Sequence, residues 1–320
     1  MLRTNFVNDF MSYYHRAKIL QDRNTGLLPP STLCNDPLQD NVTIYNCVNR
    51  RYAGFSNVLE DLTYGDESPA QRRYKKYVFP LREWLYLYLF HRMTGSGASF
   101  GPKDHGYRNS IAAKVAEQGT LEKMVDYIKA FEGVMFTSLG NQIPPFPKPS
   151  GSGYKTGGKL YLCEYAPRLV DDVLEWFQNW QLRGIKEAVD FCLNWHVKNG
   201  LKRYHFVLTA FVMDIAEYQP QLVDPDSHCY YGSNCIRGFD LMYVNDEKIK
   251  KQFWYEQCMQ DLVDLTGNQP YSLEDVVCDA VRYWGNYVPK GYEHLQPHQI
   301  TRLSKLKIQG NKNGLFRTFN

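Results

Sequence analysis

The sequence predicts an all-α protein. Apolar residues recur at helical spacing through most of the chain, no strand–helix–strand alternation is present, and no internal repeat appears. Its 320 residues are enough for one extended domain or two small ones. Hydrophobic residues make up 43% and charged residues 22%, the balance of an ordinary soluble globular chain.

The elements follow in chain order. Residues 5–20 are amphipathic, with Phe6, Phe10, Tyr13 and Tyr14 near i, i+4, i+7 spacing. A Pro-containing loop follows from Leu28 to Pro37, and 41–63 reads as helix interrupted near Gly54. Residues 80–93 form a strongly apolar helix, with Pro80 suited to its first turn and Gly95-Ser96-Gly97-Ala98 ending it. Two helices, 111–119 and 121–131, are separated by Thr120 as a cap. Residues 140–159 are rich in Gly and Pro and read as a long loop, a lid or a domain border. Helices resume at 166–181, 185–199 and 201–218. The tail carries 248–263 and 273–284, the latter capped by Ser272 with Asp275 three residues on. Residues 286–320 are basic and weakly patterned. The expected division is an N-terminal helical part, 1–140, a Gly/Pro-rich loop, 141–160, and a second helical part with a basic tail, 161–320.

Composition excludes little. Net charge is +3, below that of a DNA-coating protein, though a local basic cleft remains compatible with it. Arg72, Arg73, Lys75 and Lys76, interleaved with Tyr74 and Tyr77, read as a solvated helix face or a phosphate track. Aromatics reach 15%, with 24 Tyr, surface suited either to helix packing or to stacking on bases. The eight Cys contain no C-x-x-C pair, so a zinc ribbon is not expected. The start Met-Leu-Arg-Thr-Asn-Phe has no apolar signal segment and no apolar run reaches membrane-spanning length. A cytoplasmic protein with reduced thiols is the expectation, in the host cell if the chain is phage-encoded.

Four motifs carry possible chemistry. Gly151-Ser-Gly-Tyr-Lys-Thr-Gly-Gly-Lys159 has the wrong order for a P-loop, since Leu160 follows Gly158-Lys159; it reads as a loop, with Lys155 and Lys159 available to a phosphate. The Gly/Ser cluster at 92–101 reads as an anion nest or as a helix C-cap, with Arg92, Ser96, Arg108 and Asn109 as candidate substrate ligands. The most informative stretch is Leu222 to Tyr243. Asp224, Asp226 and His228 sit on a Pro-broken turn, where a carboxylate serves either as general base or as an Asx-turn cap. The turn Gly232-Ser-Asn-Cys-Ile-Arg-Gly238 follows and supplies Arg237.

Phe206 to Tyr243 resembles the helix-hairpin-helix DNA glycosylases, with Asp226-Ser227-His228 in the place of their Asp-Thr-His element. It departs from them in two respects. Gly200-Leu-Lys-Arg-Tyr204 stands where their hairpin reads Gly-x-Gly, and the four Cys of their iron–sulfur variant are absent. Three further segments resemble the phage thymine-hypermodification proteins of the α-glutamyl/putrescinyl-thymine pyrophosphorylase group. These are Asn35-Asp-Pro-Leu-Gln39 with Ile44-Tyr-Asn-Cys-Val-Asn-Arg50, then Gly232 to Gly238, then Leu273-Glu-Asp-Val-Val-Cys-Asp-Ala-Val-Arg-Tyr283.

The resemblance covers residues 33–285. It implies a glycosylase-like helical architecture with an N-terminal helical extension. It also implies an enzyme that displaces pyrophosphate from 5-pyrophosphoryloxymethyl-deoxyuridine in double-stranded DNA with the amine of a free amino acid. Without a P-loop, the transferase branch is favoured over the kinase branch. Such chemistry needs a flipped base, cations for the leaving pyrophosphate and a base for the amine. The resemblance implies Asn46 and Arg50 in that pocket, Arg92, Arg108 and Arg237 for the anion, and Asp226 or His228 for the proton. No cofactor is expected, and no carboxylate spacing demands a metal. The competing expectations are a DNA glycosylase and a non-catalytic helical DNA-binding protein.

Overall fold

A computed structural model describes residues 4–34, 47–53, 56–65, 79–97, 110–137, 153, 156–178 and 181–287. It is 67% helical and 2% strand, in agreement with the predicted class. The residues group into two compact units, one of 1–53 with 230–320 and one of 54–229. Most of the Gly/Pro-rich stretch 141–160 lies outside the described residues.

The first unit is built on α1 (Thr4–Asn24), which shares one apolar core with helices from 233–287. Phe6, Phe10, Tyr13 and Ala17 line one stripe of α1, as the sequence pattern requires, and all are buried. Of the helix expected over 41–63, interrupted near Gly54, Asn57–Tyr64 is formed, whereas residues 47–49 are not helical and Arg50–Tyr52 form one 3-10 turn. Side chains hold this segment instead. The amides of Val48 and Asn49 both donate to Gln21 Oε1, at 3.0 and 2.8 Å, and the Asn268 side-chain amide donates to the Val48 carbonyl.

The second unit contains α2 (Asn57–Tyr64), α3 (Leu81–Thr94), α4 (Ile111–Ala116) and α5 (Leu121–Ala130). After these come α6 (Gly157–Leu160), a wide π-turn (Tyr161–Tyr165) and α7 (Ala166–Phe177). Then follow α8 (Ile185–Lys198) and α9 (His205–Tyr218). Helix α3 is its axis. Every residue from Trp84 to Phe90 is fully buried, as expected of a helix apolar all round. The polar atoms of α3 are satisfied inside: Tyr86 donates to the Leu162 carbonyl at 2.9 Å, Tyr88 to the Leu59 carbonyl at 2.9 Å, and Trp84 Nε1 to Thr63 Oγ1 at 3.1 Å. Helix α3 starts at Leu81 with Pro80 just ahead of it, and ends on Gly95, whose φ of 62° is left-handed. Thr120 makes no side-chain cap; the Leu121 amide donates to Glu83 Oε1 of α3 at 3.4 Å.

Two residues of extended chain, β1 (Arg183–Gly184), pair in parallel with β2 (Val223–Asp224). This short ladder escaped the sequence reading, because two residues carry no periodicity.

The first unit is completed by α10 (Ser233–Met242), α11 (Lys251–Thr266) and α12 (Pro270–Tyr287). Helices α10 and α12 approach closely at Gly238, where an added Cβ would stand 2.3 Å from Val277 Cγ1 and 3.2 Å from Val281 Cγ2. Glycine is required there by contact, not by φ. Ser272 lies inside α12 and does not cap it; its Oγ accepts the Arg50 amide at 3.2 Å.

Candidate functional site

The turn that the sequence singled out lies in the second unit. Pairing of β2 with β1 sets Gly184 opposite Asp224. Asp224 Oδ1 accepts the Asp226 amide at 3.0 Å, an Asx-turn. Ser227 Oγ donates to the Asp224 carbonyl at 2.7 Å and accepts the Ile185 amide at 2.8 Å. It thereby caps α8 from 42 residues away, a task Gly184 cannot perform without a side chain. Asp224 and Ser227 thus have structural duties. Asp226 is exposed at the tip and His228 is half-buried.

The predicted anion ligands meet a different fate. Arg92 turns inward to Asp214, with Nε–Oδ2 and Nη2–Oδ1 both 2.5 Å and side-chain exposures of 7% and 2%. Nη2 also reaches Ser56 Oγ at 3.4 Å. This fork is filled by a buried carboxylate, which corrects the expectation that it meets a pyrophosphate. Ser96 is likewise buried: its Oγ accepts the Ala112 amide at 3.0 Å and its amide donates to Thr94 Oγ1. Of the two readings of that Gly/Ser turn, the cap is realised at residues 94–97. Lys159 Nζ donates to the carbonyls of Lys129 and Phe131, at 2.7 and 2.9 Å, and so caps α5. Asn46, Arg108, Asn109, Lys155 and the cluster Arg72–Lys76 lie outside the described residues.

The second unit also carries the helix pair α8 and α9, joined through 199–204. Gly200 turns the chain at a φ of 73°, and the Leu201 amide donates to the His196 carbonyl at 2.8 Å. Beneath the turn, His196 is buried. Its Nδ1 lies 3.2 Å from the Lys202 carbonyl, which can only accept, so Nδ1 carries the hydrogen and Nε2 accepts the Tyr161 hydroxyl at 2.8 Å. Burial pushes the His196 imidazole down to about 4, leaving it neutral at physiological pH. Above this support, Val197, Lys198, Lys202, Arg203, His205 and Phe206 are exposed, and no carboxylate occurs between Asp190 and Asp214. This is a rigid, cationic turn with a protruding aromatic ring.

A second cluster holds two of the expected site residues, Arg50 and Arg237, among carboxylates that the sequence did not single out. It lies in the first unit, around α12. Arg50, with 7% of its side chain exposed, bonds Asp275 Oδ2 through Nη1 at 2.5 Å. Next to Asp275, the buried Glu274 accepts the Gly232 amide at 2.9 Å. One turn on, Asp279 pairs with Arg282 at 3.2 Å. On α10, Arg237 is half-buried and bonds Asn234 Oδ1 at 3.3 Å, and Asn234 in turn bonds Cys278. Burial, then the neighbouring Asp275, push the Glu274 carboxyl up to about 8; the Gly232 amide and Arg50 act the other way. Burial likewise pushes Asp279 up to about 7, against the pull of Arg282. Cys47 and Cys278 are driven up chiefly by burial and next by these carboxylates. Two carboxyl groups titrating near neutrality mark a functional candidate. The signal for it was the i, i+4 spacing of Glu274 with Cys278 and of Asp275 with Asp279.

The same cluster draws together residues from all three segments of the pyrophosphorylase-group resemblance, with Arg50 from the first, Gly232, Asn234 and Arg237 from the second, and Glu274, Asp275 and Cys278 from the third. Among the described residues no group of three or more His, Cys, Asp or Glu could hold a metal ion, and no helix is long and apolar enough to cross a membrane. No protein-family model, curated protein or solved structure matches the chain.

Proposed function

We propose that this chain is an amino acid:DNA transferase. Its amino-acid substrate attacks the 5-methylene of a pyrophosphorylated 5-hydroxymethyluracil in double-stranded phage DNA. The amine lone pair forms the C–N bond while the C–O bond breaks, and pyrophosphate leaves with the electron pair. The observation that carries this reading is the convergence of Arg50, Gly232 and Asp275 in one cluster from segments up to 225 residues apart.

Within that reading the proton acceptor moves. Asp226 or His228 was expected to take the proton; the reading now falls on Asp279, pushed up to about 7 by burial and still partly open to solvent. It takes the proton of the incoming ammonium, and Arg237 meets the amino-acid carboxylate or the departing pyrophosphate. In the second unit, the exposed Lys202 and Arg203 of the α8–α9 turn are the candidate contacts to the DNA backbone.

The test is incubation of the protein with DNA bearing the pyrophosphorylated base and each of the twenty amino acids, followed by mass spectrometry of the nucleosides. A new nucleoside is expected, lost in Asp279→Asn and retained in Asp226→Asn. Abasic sites in place of a new nucleoside would mean a glycosylase. Salt-sensitive binding with the DNA unchanged would mean a binding protein.

A further inference from the structure

Glu274 is a carboxyl group held where its charge is unwelcome. It is 8% exposed, its Oε1 accepts the Gly232 amide at 2.9 Å, and a Cβ on Gly232 would stand 2.9 Å from that same oxygen. The amide it holds lies at the mouth of α10, where Gly232 is the N-terminal cap residue and has no side chain to cap with. Beside it stands Asp275, already engaged by Arg50 at 2.5 Å. One guanidinium therefore faces two adjacent carboxyl groups, and a single proton shared between them removes the excess charge.

The charged groups bearing on Glu274 are Asp275 on its own helix and Arg50 on the 3-10 turn. Cys278 follows one turn on, near Asp279 and Arg282, while α10 presents Asn234 and Arg237.

We propose that Glu274 is a proton-operated latch on the start of α10. With its proton, Glu274 donates to Asp275 and holds the Gly232 amide; without it, two neighbouring carboxylates repel, Glu274 moves toward water, and the segment 230–237 loosens. That segment carries Asn234 and Arg237, so the latch controls whether those side chains stand in a fixed place. The device does not depend on the transferase reading. Burial and Asp275 hold the carboxyl protonated through neutral pH, its ordinary value of 4.5 being pushed up to about 8. A folded-state value above the unfolded one means that the latched form is favoured at lower pH and is lost as pH rises through about 8.

The experiment is hydrogen exchange with mass spectrometry on the full chain from pH 6 to 9.5, corrected for the intrinsic pH dependence of exchange. It reads a peptide spanning 230–242, with one from α8 as internal reference. In the wild type, protection of 230–242 relative to α8 should hold to about pH 8 and then fall by up to tenfold per pH unit. Glu274→Gln keeps the shape and the amide acceptor but cannot ionise, and its protection should stay flat. A pH-independent wild type overturns the latch, and so does a Glu274→Gln variant with an undiminished alkaline fall. If that variant does not fold, the wild-type ratio to α8 decides alone.

Discussion

Arg50 and Asp275 form an ion pair at 2.5 Å across 225 residues of sequence, with the guanidinium 7% exposed. The pair ties the 3-10 turn to α12 and supplies the positive charge beside Glu274. Arg50→Met removes that charge and leaves Asp275 and Glu274 side by side. Breaking a fully buried pair costs roughly 3–5 kcal/mol. Asp275 keeps 38% of its side chain exposed to water, so solvent screening brings the expected loss to about 2 kcal/mol. Urea denaturation measures it, and a loss within error of zero would mean that the pair does not hold the turn.

Gly238 marks the closest described approach of a glycine to a neighbouring side chain, with Val277 Cγ1 2.3 Å from an added Cβ. Elsewhere in a helix, Gly→Ala is worth about 1 kcal/mol of stabilisation. Here the overpacking term wins, and Gly238→Ala should lose roughly 1–3 kcal/mol. Adding Val277→Ala to Gly238→Ala should recover part of the loss, as neighbours that share one space do. Thermal unfolding of the single and double variants checks this, and a single variant more stable than wild type would contradict the packing.

The buried His196 predicts an acid limit for the α8–α9 turn. Its folded value is depressed from 6.5 to about 4. The stability linked to it is therefore present above about 6.5 and is lost as pH falls toward 4. Tyr161→Phe removes the hydroxyl that donates to Nε2, leaving a buried acceptor unmet at a cost of about 1–3 kcal/mol. The imidazole should then charge at a higher pH. An NMR titration of the His196 ring reads this directly, and an unshifted midpoint in Tyr161→Phe would separate the two rings.

The proposed DNA contact at Lys202 and Arg203 is testable without any knowledge of the reaction. Each phosphate contact contributes about 0.9 to the slope of log affinity against log salt. The Lys202→Ala/Arg203→Ala double variant should lower that slope by about 2 and weaken binding evenly across sequences. Fluorescence anisotropy on duplex DNA between low and moderate salt measures it. An unchanged slope would place the DNA elsewhere on the protein.

The helices were legible where a stripe or an all-apolar run was long: α1, α3, α5 and α8 fall within a few residues of their predicted bounds. Their ends were less so, because the groups that finish them are distant in sequence. The amide of Leu121 is met by Glu83, not by Thr120, and that of Ile185 by Ser227. Arg92 had the right chemistry for an anion, and the sequence gives no sign that Asp214, 122 residues on, would fill its fork. Glu274 and Asp279 were in plain view on α12, but their chemistry comes from burial and from Arg50, Asp275 and Arg282, which only folding brings to bear.

The first unit is discontinuous, with 1–53 separated from 230–320 by the whole of the second. During synthesis the apolar stripe of α1 emerges long before the helices that cover it. At ~5–20 residues per second, ribosomes need on the order of ten seconds or more to make the intervening segment. Through that interval Phe6, Phe10 and Tyr13 have no partner from α10–α12 and present a greasy surface to the cell. Yield of folded protein should therefore depend on chaperone supply and translation speed more than its equilibrium stability would suggest.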